Sequence, residues 1–193
     1  MTSVLTRPDL AGTLVEQLAQ APIGRHALHE AALLWSASRP AGWRHLGPPT
    51  PRRHITISRV PSAAPAYRAT RLLSGLTWAV VDDGPAGSFD VAVAATDWHR
   101  IIRCLTATRR EAANLIAVRR HPELAAAAWR VAILGFVKEL DADCLTVHVR
   151  DRGLREVLLI AAPVLDVEPH CYESFLTVNG RHNVLRLLDI LKG

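Results

Sequence analysis

Carboxylates gather at two places in the chain where an apolar segment gives way to one of alternating polarity. Glu139, Asp141 and Asp143 lie near the end of LGFVKELDADC, and Asp82 and Asp83 lie near the end of LSGLTWAVVDDG. Carboxylate oxygens held close together would suit a hard metal ion. They would equally suit a solvated turn between a helix and a strand, where charged side chains reach water. The residue types alone leave both interpretations open.

These two segments begin units of the same design. Each unit reads as an apolar helix, an acidic junction, an alternating strand and an amphipathic helix. The helices predicted over 68–81 and 126–140 are apolar nearly all round, which places them in a core. Gly75 and Gly135 match at a period of 60 residues and would let the two helices approach closely. The duplication predicts two copies packed about a pseudo-twofold axis.

The whole chain is predicted to be an α+β protein in three parts. Residues 10–20 and 25–37 carry apolar residues at helical spacing around the turn signal APIG, so 1–38 is expected to be a helical hairpin. Residues 39–66 form an arm rich in proline and arginine, within which HITISRV is a candidate strand. Residues 67–193 form the duplicated domain. The predicted architecture is two pseudo-symmetric helix–strand–helix repeats around packed central helices, with the hairpin N-terminal to them.

The charge of the chain is unevenly distributed. The net charge is +5 overall, +8 over residues 31–130 and −2 over 131–193. A one-sided basic region is what an electrostatic contact with phosphates requires. Arginine also outnumbers lysine 21 to 2, a bias that a GC-rich coding genome produces without any functional demand. The candidate phosphate contacts are Arg39, Arg44, Arg52, Arg53, Arg59, Arg100, Arg103, Arg109, Arg110, Arg119 and Arg120.

The sequence lacks the motifs of several common enzyme and ligand-binding classes. The sequence has no G-x-x-x-x-G-K-[ST], no G-x-S-x-G and no G-x-G-x-x-G, so nucleotide-binding loops and hydrolase elbows have no support. No apolar run approaches the roughly 20 residues of a membrane span, and no signal-like apolar segment develops at the N-terminus. Cys104, Cys144 and Cys171 are too few for a disulfide framework and are predicted to be small buried residues. A soluble cytoplasmic protein without a membrane partner is expected.

Two further metal patterns are weak. Cys144 and His148 lie on one face of a predicted strand and could join the adjacent His170 and Cys171 in a zinc site, but structural zinc sites usually take each ligand pair from a tight turn. The segment HALHE has neither the order nor the spacing of a metallopeptidase helix. Its histidines and Glu30 are expected to be exposed helix residues.

An apolar helix with a small residue near its centre and acids at its C-terminal end resembles the repeat of the LAGLIDADG group. This group includes homing endonucleases, the endonuclease domains of inteins and non-cleaving DNA-binding relatives. The resemblance covers roughly residues 67–193 and includes YESFLTVNGRHNVLRLLDILKG, which is similar to the strand and helix that close such a repeat. In the group, two motif helices pack side by side while sheets on both sides track DNA. Each unit here shows one strand before its next helix, where the group usually has two.

The resemblance implies a metal site at the ends of the two motif helices. In the group, an acid from each helix meets the other there and holds a divalent metal for phosphodiester cleavage. By residue match, Asp83 and Asp143 are the implied metal-binding and catalytic acids, with Asp82 and Asp141 as alternatives one register away. A helix C-terminus favours a cation, and carboxylates suit Mg²⁺, which can activate water. Mg²⁺ is therefore the implied cofactor if the protein cleaves DNA.

The function predicted from the sequence is DNA binding, with or without residual Mg²⁺-dependent endonuclease activity. Double-stranded DNA is the expected partner. His148, Arg150 and Asn179 are the polar candidates for base contact if strands 144–150 and 174–179 face a groove. The alternative is a non-enzymatic interaction or regulatory module, whose apolar surfaces serve a protein partner or a homodimer. Salt-dependent DNA binding distinguishes the two functions.

Overall fold

Helices and two small antiparallel sheets make up the protein, which confirms the predicted α+β class. The computed structural model describes residues 8–38, 53–112 and 114–193. None of the described helices is long and apolar enough to cross a membrane. In chain order the elements are α1 (Pro8–Gln20), α2 (Ala27–Ala37), β1 (His54–Val60), α3 (Ala63–Leu73), β2 (Ala79–Asp83), β3 (Phe89–Ala94), α4 (Trp98–Ala112), α5 (Leu115–Arg120), α6 (Pro122–Phe136), β4 (Val137–Leu140), β5 (Cys144–His148), α7 (Arg152–Val164), β6 (His170–Tyr172), β7 (Phe175–Asn179) and α8 (Arg181–Lys192).

The two N-terminal helices are present as predicted, but α1 packs mainly on α3 and α6, and α2 is central to the fold. α2 is buried at every residue from Glu30 to Trp35. It packs against α3 and α4 and also against α6, which belongs to the second half of the chain. A helix that is buried all round lies in a core rather than on a surface. α2 is therefore one of the two central helices.

The other central helix is α6. Its N-terminus has Pro122 at the first helical position, where the fixed φ of proline suits the helix. Ten of its residues are buried, including the largest, Trp129. α6 packs chiefly on α7 and α2. The central pair is thus α2 and α6, where the sequence pattern had indicated helices over 68–81 and 126–140.

Both of those predicted helices end early. α3 ends at Leu73 and the chain continues as β2, while α6 ends at Phe136 and β4 begins at the next residue. Short apolar runs do not distinguish a helix from a strand by periodicity, and valine favours the strand once a pairing partner is present. Here β2 pairs with β3, and β4 pairs with β5. Asp82, Asp83 and Glu139 therefore lie in strands, and Asp141 and Asp143 lie in the turn after β4, so none of these acids is at the end of a helix.

The close packing predicted at two glycines is also wrong. A Cβ placed on Gly75 or on Gly135 would meet no atom of another part of the chain within 4 Å. Gly75 lies in an exposed turn after α3, and Gly135 lies in the last turn of α6. Neither glycine stands between the central helices, because the partner of α6 is α2.

The two sheets repeat one topology. Sheet A has the strand order β1-β3-β2 and sheet B the order β4-β5-β7-β6, with every pair antiparallel. In each sheet the chain passes from one strand through a helix to an edge strand. A hairpin then leads to the strand that lies between those two, and a last helix follows. β1, α3, β2, β3 and α4 thus correspond to β5, α7, β6, β7 and α8. The duplication exists, but each copy begins with a central helix and the period is longer than 60 residues.

One hydrophobic core joins all of these elements. It includes Leu18 and Trp35 of the hairpin, Ile57 and Val60 of β1, and the buried residues of both sheets and of α6. The boundaries at 38 and 66 stay predictions of domain organisation. The core itself crosses both of them, since each of the three predicted segments contributes buried residues.

A buried carboxylate connects the central helices. Glu30, expected from the sequence to be exposed, is 3% exposed and accepts hydrogen bonds from Arg68 on α3 at 2.7 and 3.1 Å. It also accepts a bond of 2.6 Å from Arg130 on α6. The two guanidinium groups bond further to the carbonyls of Ala21 and Leu191. One carboxylate thus pairs with two arginines where the two halves of the chain meet.

Three histidines lie near one another where α2 and α6 begin. The ring centroids of His26 and His29 are 5.3 Å apart, and those of His26 and His121 are 5.8 Å apart. His26 Nε2 lies 3.3 Å from the Glu123 carboxylate. Burial, then the neighbouring charges of His29 and Arg25, lowers the pKa of His26 from its ordinary value of 6.5. His26 and His29 are partly buried, although the sequence predicted exposed side chains.

Acidification is expected to destabilise the fold through His26. Because the folded-state pKa lies below the unfolded value of 6.5, the unfolded chain binds this proton first. The stability contributed by neutral His26 is complete above the unfolded pKa and is lost as the pH falls from there through the folded pKa. Urea unfolding of the wild type and His26→Gln at about pH 7.5 and about pH 5.5, on either side of that value, measures the effect. The wild type should lose more stability than the variant, and equal losses would assign the pH dependence to other groups.

Candidate nucleic-acid interface

The metal site implied by the resemblance would lie at the C-terminal ends of the central helices. α2 is capped by Ser38, whose carbonyl accepts a hydrogen bond of 2.8 Å from the Arg59 amide. α6 ends at Phe136 and passes directly into β4. Neither end carries a carboxylate, and from Ala31 to Val81 the sequence has no Asp or Glu at all. The residues at this place do not fit a divalent metal, which requires oxygen ligands.

Asp82 and Asp83 lie instead at the end of β2, on the edge of sheet A. In the strand register Asp82 is opposite Asp90 of β3, and Asp83 is opposite Phe89. Both are exposed. Asp90 itself is held by Arg59, which donates hydrogen bonds of 2.6 and 2.8 Å to its two oxygens. This end of sheet A therefore contains one internally neutralised pair beside two solvated acids.

Asp141 and Asp143 lie in the turn between β4 and β5. The Oδ1 atom of Asp141 accepts hydrogen bonds from the backbone amides of Asp143 at 2.8 Å and Cys144 at 2.7 Å. The Asp143 carbonyl accepts a bond of 2.8 Å from the Gly180 amide. Bonds from a short acidic side chain to nearby amides are the reason that Asp is frequent in turns. The acids of this junction have the geometry of a solvated turn, on a different sheet from Asp83.

Within residues 8–38, 53–112 and 114–193, no three His, Cys, Asp or Glu side chains are grouped so that they could hold a metal ion. The zinc alternative fails on topology as well, because β7 separates β5, which carries Cys144 and His148, from β6. All three cysteines are partly or fully exposed, where the sequence predicted burial. A metal-binding or catalytic role for Asp83 and Asp143 stays a prediction.

Sheet B presents one face to solvent. Along β5 and β7 the residues Leu145, Val147, Leu176 and Val178 are buried, so the residues between them face outward. The same alternation places two residues of the edge strand β6 on the outward side, through their pairing with β7. The open face of sheet B comprises Cys144, Thr146, His148, His170, Tyr172, Phe175, Thr177 and Asn179.

Side chains of this open face are paired across the strands. The hydroxyl groups of Thr146 and Thr177 are 3.2 Å apart. The rings of His148 and Phe175 are stacked, with centroids 4.5 Å apart and an angle of 13° between their planes. Asn179 is exposed at the other end of the face. Flat rings and hydrogen-bonding groups in register form an ordered surface that could contact bases.

The structure places two of the three predicted base contacts at opposite ends of the open face and the third just beyond it. His148 and Asn179 belong to the open face, and Arg150 follows two residues after His148, beyond the end of β5. Arg150 is exposed and has no ion-pair partner among the described residues. A guanidinium at the edge of such a face can reach either a phosphate or a guanine edge.

The arginines predicted to contact phosphate fall into three groups. Arg39, Arg44 and Arg52 lie outside the described residues. Arg59, Arg100 and Arg109 form ion pairs with Asp90, Asp97 and Asp151 at 2.6, 3.3 and 3.6 Å. The others are exposed and form no ion pair with any residue that the structure describes: Arg53, Arg103, Arg110, Arg119 and Arg120.

Most of the unpaired arginines lie away from the open face. Arg103 and Arg110 are on α4, which packs against α2, while Arg119 and Arg120 are on α5, which packs against α6 and α7. Both helices pack on other helices and not on the open face of sheet B. The arginines of α4 and α5 and the open face of sheet B are therefore two separate surfaces.

The duplicated topology is similar to that of two solved structures. The first is the N-terminal LAGLIDADG domain of DUF199/WhiA, with a TM-score of 0.61, 14% sequence identity, and coverage of 99% of this chain and 96% of that chain. The second is full-length DUF199/WhiA from Thermatoga maritima, with a TM-score of 0.58, 13% identity, and coverage of 93% of this chain and 60% of that chain. This chain has a LAGLIDADG-type fold. No protein-family model and no curated protein matches the sequence.

The LAGLIDADG-type fold extends over the whole chain, whereas the sequence resemblance begins near residue 67. The difference arises at the first motif helix. The sequence pattern predicts that helix over 68–81, whereas in the structure α2 takes its place. A signal for α2 exists in the uninterrupted apolar stretch AALLWSA, which is too hydrophobic for a surface helix. The second copy also contains two short strands, β4 and β6, that the sequence pattern does not show. With them, a pair of strands precedes each of the helices α7 and α8.

Four residues of the open face have no counterpart in the sequence prediction: Thr146, Tyr172, Phe175 and Thr177. Three of them could be found from the strict alternation in CLTVH and FLTVN, which marks the outward positions. Tyr172 could not, because β6 has only three residues and periodicity needs a longer run.

Proposed function

We propose that this protein binds DNA and does not cleave it. The observation that carries the proposal is a set of exposed arginines that form no ion pair with any described residue. An exposed guanidinium without an internal partner is free to meet a phosphate oxygen, and release of counterions then supplies binding free energy. The set consists of Arg53, Arg103, Arg110, Arg119, Arg120, Arg150 and Arg181. Arg71 is exposed as well, but its guanidinium donates a hydrogen bond of 3.0 Å to the Ala19 carbonyl.

The open face of sheet B is the proposed surface for base contact. The sheets of the LAGLIDADG group track DNA, and His148 and Asn179 are outward-facing here. Arg150 lies beyond one end of the face, and Arg181 follows Asn179 and Gly180 at the other end. Phosphate contacts at both ends would fix the register of a nucleic acid whose bases meet the residues between them.

The proposal leaves out cleavage because the central helices have no pair of carboxylates at their ends. Hydrolysis of a phosphodiester in this fold needs carboxylates there to hold Mg²⁺, and no Asp or Glu occurs from Ala31 to Val81. The purified protein is therefore expected to show no Mg²⁺-dependent nicking of supercoiled plasmid DNA. Nicking that disappears in Asp83→Asn or Asp143→Asn would contradict this part of the proposal and make those acids catalytic.

Binding is expected to weaken steeply with salt. Each contacted phosphate contributes a slope of roughly 0.9 to the log–log plot of affinity against salt for duplex DNA. The double variant Arg150→Gln/Arg181→Gln should lower the slope by about 2, which is one unit for each lost contact. The measurement is fluorescence anisotropy of a labelled duplex over a salt series.

A matched control is available in Arg152→Gln/Arg186→Gln. This variant removes the same charge, but its two arginines are exposed and already paired, with Glu156 at 2.9 Å and Asp166 at 2.5 Å. The control should retain the wild-type slope. A slope lost only in Arg119→Gln/Arg120→Gln would move the contact from sheet B to α5. A weak, flat salt response of the wild type would refute binding to duplex DNA.

The second candidate function, a protein-interaction module or homodimer, is favoured by one groove. It has a volume of about 1140 Å³ and lies between α1, α3 and the end of α6, with Val15, Ala64, Tyr67 and Leu134 among its lining residues. Light scattering over a range of protein concentrations tests self-association. A mass that rises with concentration, together with no DNA binding, would favour this function.

A further inference from the structure

A row of aromatic side chains crosses three strands of sheet B. Tyr172 of β6 is paired with Phe175 of β7, which is paired in turn with His148 of β5. His148 and Phe175 are already stacked, with ring planes 13° apart. Tyr172 is 73% exposed, more than any other Phe, Tyr or Trp among the described residues except Trp78. An exposed tyrosine of this size on a sheet needs a reason, because most of its ring contacts only water.

Hydrogen-bonding groups and cations surround this row. Next to it runs the pair Thr146 and Thr177, with hydroxyl oxygens 3.2 Å apart, and Glu139 of β4 is opposite Thr146 in the register. Each of these groups can bond to the edge of a base. Arg150 and Lys138 are exposed near the row and have no ion-pair partner among the described residues. They provide the charge complementary to a phosphate.

This combination suits unpaired bases better than a duplex. In double-stranded DNA the faces of the bases are covered by their neighbours, so a protein in a groove meets only their edges. Aromatic rings bind nucleic acid by stacking on base faces, which only single-stranded, looped or flipped bases expose. The flat ring of a base can add to the existing stack of His148 and Phe175. The ring of Tyr172 offers a further surface on which a base can stack.

We propose that the open face of sheet B is a stacking platform for unpaired bases of a single-stranded nucleic acid, with Tyr172, Phe175 and His148 contacting the bases and Arg150 a phosphate. The inference rests on the proposed function, nucleic-acid binding, and narrows the form of nucleic acid that this face takes. It also gives a role to three aromatic rings that duplex binding does not require.

Fluorescence anisotropy of three labelled oligonucleotides of one sequence tests the proposal: single-stranded DNA, single-stranded RNA and duplex DNA. A length of about 12 nucleotides falls within the roughly 4–16 nucleotides that single-strand-binding folds cover. At one low salt concentration, the wild type should bind at least one single strand more tightly than the duplex. The DNA and RNA arms then distinguish the two sources of unpaired bases.

Tyr172→Ala is the decisive variant, because a side chain that is 73% exposed can be removed without unfolding the protein. It should weaken single-strand binding roughly 5- to 100-fold, the range for loss of one stacking contact, while Tyr172→Phe retains it. The matched control is Tyr67→Ala, which removes the other tyrosine, 61% exposed on α3.

Each other outcome overturns the proposal. If the protein binds the duplex more tightly than either single strand and Tyr172→Ala has no effect, the stacking platform is overturned while DNA binding survives. Equal losses in Tyr172→Ala and Tyr67→Ala would show that the effect is not specific to sheet B. Failure to bind any of the three oligonucleotides would remove both this inference and the proposed function.

Discussion

Replacing Glu30 by alanine is expected to lower the free energy of unfolding by about 3–5 kcal/mol, the cost of leaving a buried charge without its partner. The Glu30 side chain is 4% exposed, and the guanidinium groups of Arg68 and Arg130 converge on it. Without the carboxylate, two positive charges would remain close together in a region that excludes water. Since a domain is stable by only about 5–15 kcal/mol, this change approaches global unfolding. Urea denaturation followed by circular dichroism measures it.

Two further variants separate charge from shape at this position. Glu30→Gln keeps the side-chain volume and an acceptor oxygen but loses the charge, so it should lie between the wild type and Glu30→Ala. Glu123→Ala is the surface control, because Glu123 is 57% exposed and its ion pair with Arg25 is solvated. Exposed pairs contribute about 0–1 kcal/mol. Equal unfolding midpoints for Glu30→Ala and Glu123→Ala would refute the role of the buried triad.

Replacing Trp129 by alanine should have an effect of similar size. Trp129 is 0% exposed at the middle of α6, and its indole N–H donates a hydrogen bond of 3.2 Å to the Leu158 carbonyl on α7. Truncation of a large buried aromatic residue costs about 3–5 kcal/mol, because the surroundings collapse only partly into the cavity. The unfolding midpoint in urea should fall accordingly, with little change in the slope of the transition.

Trp78 provides the control for this substitution. It is 81% exposed, so Trp78→Ala removes the same side chain from the surface. Its effect should stay within about 0.5 kcal/mol, as is usual for exposed positions. A large loss of stability in Trp78→Ala, or none in Trp129→Ala, would contradict the packing described for α6.

The long amphipathic helices and the alternating strands could be predicted from the sequence. α4 buries Ile101, Leu105 and Thr108 at helical spacing, and β5 and β7 alternate strictly, so local periodicity alone defines them. Asp151 caps α7 by accepting a bond of 2.7 Å from the Leu154 amide, a pattern that is also local. These elements led correctly to an α+β fold with an internal duplication.

The central pair could not be predicted because it depends on contacts between distant parts of the chain. β2 (Ala79–Asp83) and β4 (Val137–Leu140) have only five and four residues, too few for a periodic pattern, and it is their pairing with β3 and β5 that makes them strands. Likewise, Glu30 looks like any helical glutamate until Arg68 and Arg130 are brought to it from α3 and α6. In both cases tertiary contacts override the local preference.

The candidate site likewise has features that could be predicted from the sequence and features that could not. The outward positions of His148 and Asn179 follow from alternation, so they were accessible from the sequence. The stack of His148 on Phe175 depends on the register between β5 and β7, which no local pattern specifies. The resemblance implies acids at helix ends, but the structure places Asp82 and Asp83 at the end of β2 and Asp141 and Asp143 in a turn, where backbone hydrogen bonds account for Asp141.

The direct junction between α6 and β4 has a consequence for how the two sheets respond to a ligand. Phe136 ends the helix and Val137 begins the strand, so sheet B is covalently continuous with the most buried helix of the protein. Sheet A joins its central helix through a connection of 16 residues, 38–53. Sheet B is thus preorganised: its orientation is set before any partner arrives, and binding there loses little conformational entropy.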